Sequence, residues 1–238
     1  METTTEAEPK YTTHWMSECG SFSMCHFIAE SPYMLSQCLS KIIGDQRMPP
    51  LFSIGYHQCR WNYFTKVEVM ELNENFKKNN LPMDTIWLDI EYSDRKKYMV
   101  WDPHRFANAD EMCNELKRDD RYLVAIVDPH ISTEKEYHVI KESSENGFLL
   151  KSKPTQSSAD YVAKCWAPEC SWIDFFNPKA CEFWTKCLQY DMEFSKGKEN
   201  MYIWEDMNEP SVFDVTDTTA PKGLGYLFYI VHSMEAHL

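Results

Sequence analysis

The sequence predicts an α/β fold of the (β/α)8 TIM-barrel type, with about the first half of the barrel present. Three observations carry this. From residue 51 onward, short apolar runs alternate with amphipathic stretches, the pattern of βαβ units around a parallel sheet. The runs lack period-2 alternation, as strands covered on both faces do. Finally, His57, Asp89 and Glu91, Asp128 and His130, and Asp206 and Glu209 fall at or just after the C-terminal ends of these runs, the rim where barrels gather their reactive groups. A doubly wound open sheet competes with this plan, but it wants a glycine-rich first turn, and Gly55-Tyr56-His57-Gln58 is not one.

Taken in order, residues 1–10 are polar and read as a frayed end. Ser31 to Ile43 has helical spacing, with Met34, Leu35, Cys38, Leu39, Ile42 and Ile43 on one stripe and Gly44 as a stop. Met48-Pro49-Pro50 punctuates the chain. LFSIGYH (51–57) reads as the first buried strand, and 65–80 as a helix with Val67, Met70, Leu72 and Phe76 apolar. TIWLDIE (85–91), a helix at 109–120, and YLVAIVD (122–128) follow. Residues 132–176 show no clear helix and read as an insertion over the rim. It holds a weak hairpin strand at Phe148-Leu149-Leu150 and a loop by composition, KSKPTQSSAD. Asn177 and Pro178 open a helix over 177–192, as N-cap and first helical residue. MYIWEDMNE (201–209) is the fourth strand, and 223–238 reads as a last helix, with a β-branched and aromatic middle that suits a strand as well. Four units over 51–238 take about 47 residues each, so eight would need roughly 375 against about 250 for a typical barrel.

Composition narrows the function classes. There are 24 basic and 37 acidic residues, a net charge of −13. That balance argues against nucleic acid, whose binding draws on Lys and Arg, and against an anionic membrane surface. A neutral substrate suits it. The opening METTTEAEPKYTTHW lacks a basic n-region and an apolar h-region, so no signal peptide is read there. The longest apolar stretch, Gly225 to Val231, is too short to span a bilayer. These features read as a soluble chain, cytoplasmic if its N-terminus is genuine. Nine cysteines include no C-x-x-C pair and no accompanying histidine pair at zinc spacing. They read as unpaired and mostly buried thiols, with one or two disulfides compatible with the count and Cys165–Cys170 the nearest candidate. No metal site is expected. Seven glycines leave no phosphate cradle.

WEDMNEP (204–210) is the most informative stretch, with Glu205, Asp206 and Glu209 around a strand end. Period 2 sends Glu205 and Asp206 to opposite faces. An acid after a tryptophan suits carbohydrate chemistry, because the ring stacks on a sugar while the carboxylate meets the anomeric carbon. The plainer alternative is a capping acid before a proline turn.

Tyr202 to Phe213 (YIWEDMNEPSVF) resembles the nucleophile signature of glycoside hydrolase family 31. So do PPLFSIGYHQCRWNY (49–63), DTIWLDIEYSDRKKYMVWDPHRF (84–106), LVAIVDPHIS (123–132) and DFFNP (174–178), in the family's order and spacing. The resemblance runs from about Thr12 to Phe213 and is strongest to the family's neutral, N-glycan-processing α-glucosidases. It implies a retaining α-glucosidase that removes terminal α-linked glucose from an oligosaccharide or glycan by double displacement, without a metal or organic cofactor. Asp206 matches the nucleophile. Asp89 matches the acid that holds hydroxyls of the terminal glucose. Trp61, Ile131, Trp166 and Trp204 match apolar pocket walls, and Met207 matches a pocket residue beside the nucleophile. Glu209, Asp128, His130, Glu91 and Arg60 are expected in support, Arg60 as a structural ion-pair partner of a rim acid. The resemblance also implies residence in the endoplasmic reticulum lumen and a separate non-catalytic subunit as partner. It makes 49–238 the N-terminal half of the family's barrel and 1–48 a segment leading into it, the remnant of a preceding β-rich region.

The sequence departs from the family pattern in three places. No G-D-N stretch carrying the family's acid/base aspartate follows Asp206, DVTDTTAPKG stands where a longer loop is usual, and Trp166-Ala167-Pro168 replaces W-P-G. General acid help is worth about 10² to 10⁴ in rate. The departures therefore leave open an alternative, a truncated inactive paralogue acting as a binding or interaction protein.

Overall fold

The computed structural model describes residues 2–3, 11–15, 23–153, 158–189, 193–216, 218–221 and 224. The expected helix at 223–238 lies outside them, apart from Leu224. The chain divides into two compact units, Met1–Met48 and Pro49–Leu238.

In the first unit, β1 (Glu2–Thr3) pairs antiparallel with β2 (Tyr11–Thr12), so part of the expected frayed end is paired. Helix α1 (Pro32–Ile43) has the expected bounds. Ser31 caps it by accepting the Met34 N–H at 3.3 Å. Gly44 ends it at φ 86°, a conformation open to glycine. The apolar stripe buries nothing: Met34, Leu39, Ile42 and Ile43 are all exposed.

The second unit opens differently from the expected strand. Leu51–Ile54 is a 3-10 turn, with Leu51 and Ile54 exposed. Its polar groups are spent locally: Ser53 Oγ donates to Pro50 O at 2.7 Å, and the Gly55 N–H donates to Phe52 O at 3.1 Å. Strand β3 is therefore only His57–Gln58. Gly55 makes this entry fit, since a Cβ there would lie 2.2 Å from the Asp84 carboxylate, which accepts the Tyr56 N–H at 2.9 Å. Helix α2 (Lys66–Lys78) buries Val69 and Asn73, with Met70, Leu72 and Phe76 packed partly against the core. Val67, expected on that face, is exposed.

Strand β4 (Thr85–Leu88) ends where the Asp89 side chain caps a 3-10 turn at Ile90–Tyr92. The hairpin β5 (Ser93–Asp94) and β6 (Lys97–Trp101) follows. Buried Lys97 pairs with Asp94 at 2.6 Å and with Glu134 at 3.7 Å, which fixes this hairpin beside the segment after residue 132. Helix α3 (Ala109–Arg118) leads to β7 (Tyr122–Val127), and β8 (His130–Ser132) comes next. The insertion holds a helix the sequence did not announce, α4 (His138–Glu145). Its buried apolar pair, Val139 and Ile140, is too short a run to register as a period. Leu149 bridges antiparallel to Ile173, and β9 (Cys170–Trp172) pairs antiparallel with β8. Helix α5 (Pro178–Cys187) starts as expected, with Asn177 Oδ1 accepting the Lys179 N–H at 3.0 Å. Last comes β10 (Met201–Glu205), tied at its start by Asn200, which donates to Cys113 O and Arg121 O.

The four strands β3, β4, β7 and β10 form one sheet, all parallel, in the order β10-β7-β4-β3. The order advances steadily along the chain. A doubly wound sheet would reverse direction at a switch point, so the winding is that of a barrel wall. Ile86 lies level with Leu123 and Met201, and Leu88 with Ala125 and Ile203. Together with Val69, Met112, Leu116 and Phe183 they form one core. Trp87, Tyr202 and Trp204 have the opposite parity and stand on the other face, Trp87 and Trp204 edge to face with centroids 5.4 Å apart. No helix of the described residues is long and apolar enough to cross a membrane.

Candidate active site

The C-terminal ends of four parallel strands bring Cys59–Trp61, Asp89, Asp128 and Asp206–Glu209 to one rim. Val127 pairs with Glu205 in register, so Asp128 and Asp206 leave adjacent strands at the same level.

Asp89 is half-buried and accepts its neighbour's N–H, from Ile90, at 2.7 Å. Burial raises its carboxyl above the usual range. The Ile90 N–H and Lys96 oppose that shift, and Asp206 adds to it. Asp128 is fully buried. Burial pushes its carboxyl up to about 7 against the hydrogen bond from Tyr98, with further upward pushes from Asp206, Asp89 and Glu209. Four carboxyl groups thus share one field, and the deepest of them is held near neutrality.

Tyr98, on β6, organises that deep group. Its hydroxyl hydrogen-bonds Asp128 Oδ2 and lies 3.1 Å from His130 Nε2, while His130 Nε2 lies 3.7 Å from Asp128. Burial pushes His130 down to about 3, so its imidazole is neutral. Among the described residues, Asp128 Oδ1 and His130 Nδ1 find no hydrogen-bond partner. Asp206 and Glu209, by contrast, are exposed. Asn208 donates to the Asp206 carbonyl at 3.0 Å, and Glu209 accepts from Ser211 Oγ at 3.2 Å. Met207 sits at φ 61°, a left-handed conformation uncommon for such a side chain and a local strain beside Asp206. It packs partly buried on a second cluster with Leu150, Cys165 and Val212.

The aromatic residues separate into two groups. Trp61, 58% exposed, lies 5.5 Å from Trp166, which meets Phe213 edge-on at 4.9 Å. These three form an open aromatic wall. Trp204 instead contacts Trp87, whose Nε1 donates to His57 Nδ1 at 2.9 Å. Ile131 is fully buried in the β8–β9 hairpin and presents no surface. Glu91 is buried on the turn after Asp89, and its Oε2 has no partner among the described residues. Arg60 lies 4.7 Å over the Tyr63 ring and donates to Asn62 O at 3.5 Å. That is a cation–π contact; no ion pair of Arg60 occurs among the described residues.

Tyr98, Trp87 and Phe213 did not stand out in the sequence. Phe213 closes the signature stretch, so a signal existed for it. Tyr98 lies 30 residues before Asp128, and no local spacing links the two. Among the described residues no group of three or more His, Cys, Asp or Glu is arranged to hold a metal ion. The described cysteines, Cys165 and Cys170 included, are free thiols.

Residues 46–235 match the glycosyl hydrolases family 31 TIM-barrel domain. The glucosidase 2 subunit alpha of Schizosaccharomyces pombe is 41% identical over 231 residues, 95% of this chain and 24% of that protein. The neutral alpha-glucosidase AB of Sus scrofa is 40% identical over 214 residues, 90% of this chain and 22% of that protein. The chain thus spans about a quarter of the length of these relatives. A crystal structure of glucosidase II alpha subunit in a DNJ-bound form superposes with a TM-score of 0.80 at 39% identity, covering 89% of this chain and 22% of the other. The catalytic subunit in an ER glucosidase II heterodimeric complex gives 0.72 at 41% identity, covering 78% and 20%. The parallel sheet, the rim of carboxylates and these matches agree: the chain belongs to glycosyl hydrolase family 31, in its TIM-barrel domain.

Proposed function

We propose that this chain carries the nucleophile half of a retaining α-glucosidase site acting on terminal α-linked glucose. The observation that supports this best is the meeting of Asp89, Asp128 and Asp206 at one rim, with Asp206 exposed and its neighbour on the next strand buried. In this reading the Asp206 carboxylate attacks the anomeric carbon. A carbon–oxygen ester bond forms as the bond to the leaving oxygen breaks, and that oxygen departs with a proton from a general acid. Water then opens the glucosyl ester. Asp89 accepts hydroxyls of the same sugar, and Trp61 and Trp166 offer it a stacking wall. Glu209 steadies the turn through Ser211, and Asp128 with His130 supports the rim from below.

By likeness to the glucosidase II relatives, the substrate is a glycan ending in α-glucose and the setting is the endoplasmic reticulum. A regulatory subunit is the partner, as in the heterodimeric complex. The test uses an α-glucosyl fluoride slowed by a ring fluorine, whose leaving group needs no general acid. Intact-mass analysis should show one glucosyl adduct, placed by peptide mapping on Asp206 and absent in Asp206→Asn. Sugar binding without any adduct would support instead a chain that binds glycans and does not turn them over. An adduct that survives Asp206→Asn would refute the assignment.

A further inference from the structure

Beyond β8, the hairpin carries a surface loop at 164–169 closed by Ala163 and Cys170, whose backbones exchange hydrogen bonds at 3.0 and 2.8 Å. Exposed Lys164, Trp166, Pro168 and Glu169 alternate there with buried Cys165 and Ala167. The Cys165 N–H donates to Ala167 O at 3.3 Å. Cys170 Sγ also donates to Ala167 O at 3.4 Å. Both residues therefore converge on one carbonyl oxygen, and both lie in the same buried cluster. Bridging needs a Cα separation of about 4.4–6.8 Å, and the Ala163–Cys170 bridge sets Cys170 opposite the residue two before Cys165.

We propose that Cys165 and Cys170 are an oxidisable thiol pair, a modification site that takes a low-molecular-weight disulfide as oxidant and closes to a Cys165–Cys170 disulfide. The Cys165 thiolate attacks one sulfur of the external disulfide and releases one thiolate. The Cys170 thiolate then attacks Cys165 Sγ and releases the second. Two protein thiols are oxidised, one disulfide is reduced to two thiols, and the two protons pass to the released thiolates. Burial pushes Cys165 up to about 12 and Cys170 to about 11, so both are protonated at rest and exchange waits on opening of the exposed loop layer. The closed ring contains Trp166, the middle member of the aromatic wall. The proposal does not depend on the glycosidase reading, because its test reads mass rather than activity.

The folded chain is incubated with oxidised and reduced glutathione at mildly alkaline pH, quenched with acid, alkylated after unfolding and mapped by peptide mass. The expected product is a peptide holding Cys165 and Cys170, lighter by two hydrogens and free of alkyl groups, while buried Cys113 and Cys187 are alkylated. In Cys170→Ser the reaction stops at a Cys165–glutathione adduct that the unsubstituted chain does not accumulate. Phenylarsine oxide, which needs two neighbouring thiols, adds to the same peptide with no substitution made. Alkylation of both thiols under conditions that load exposed Cys25 and Cys59 with glutathione, or failure of the arsenical to bridge the pair, would overturn the proposal.

Discussion

The ends of β7 and β10 make a controlled comparison. Two parallel strands lie side by side in register, and each is followed at once by an aspartate. Asp128 is buried, bonded to Tyr98 and raised to about 7; Asp206 stands exposed. Residue type, strand type and rim position are the same in both. What differs is what packs above each: the β6 hairpin and His130 cover one, and solvent meets the other. Environment, rather than residue type or position, sorts such acids into roles.

The largest contrast is in chemistry. Asp206→Asn should abolish glucosyl labelling, a loss of at least about a thousand-fold, while its folding stability stays within about 0.5 kcal/mol. Asp128→Asn should keep labelling within about tenfold, as read by intact mass against time. Equal losses from both substitutions would erase the distinction.

Stability should show the reverse order. Asp128→Ala removes the buried carboxyl that accepts from the Tyr98 hydroxyl, at a cost of about 1–3 kcal/mol at pH 5. Asp206→Ala should move a urea midpoint barely at all. Matching midpoints for the two variants would mean that Asp128 is not held as described.

The pH dependence sharpens the comparison further. Asp128 has a raised carboxyl, so its contribution is full below the unfolded value near 4 and is lost as pH rises through about 7. His130 is lowered, so its contribution is present above about 6.5 and is lost as pH falls toward 3. Between about pH 4 and 6.5 the two slopes oppose, and the unsubstituted chain should be nearly level. Asp128→Asn should uncover the histidine slope, stability rising by up to about 1.4 kcal/mol per pH unit. His130→Gln should uncover the falling one. Urea denaturation at half-unit pH steps decides it, and unchanged profiles in both variants would sink the coupling.

The smallest effect belongs to Tyr98→Phe. It removes one buried hydroxyl, costs about 1–2 kcal/mol, and moves Asp128 further up, because the hydroxyl was holding it down. A thermal scan paired with the same pH series would show both.

Much of the barrel wall was legible because its signals are local. The apolar runs at 85–88, 122–127 and 201–205 announce strands, Gly44 marks the end of the first helix, and Asn177 with Pro178 announces another within a turn of where they act. The runs were read too long, since Asp89 turns the chain with its own carboxylate. Leu51–Ile54 misled for a similar reason: it is apolar, but its hydrogen bonds close on Pro50 and Phe52 rather than on a neighbouring strand. Helix α4 was missed because Val139 and Ile140 alone make no period.

At the rim, the sequence by itself determined which residues follow each strand, because strand type and order are written in runs of adjacent residues. It could not show that Arg60 turns to the Tyr63 ring, or that Trp61 meets Trp166 while Trp204 meets Trp87. Nor could it tell Asp128 from Asp206. The Asp128 carboxyl is raised by desolvation, against the Tyr98 hydroxyl from β6 and with acids from the ends of β4 and β10. Those contributions sum over elements tens of residues apart, and only the packed tertiary structure brings them to one point.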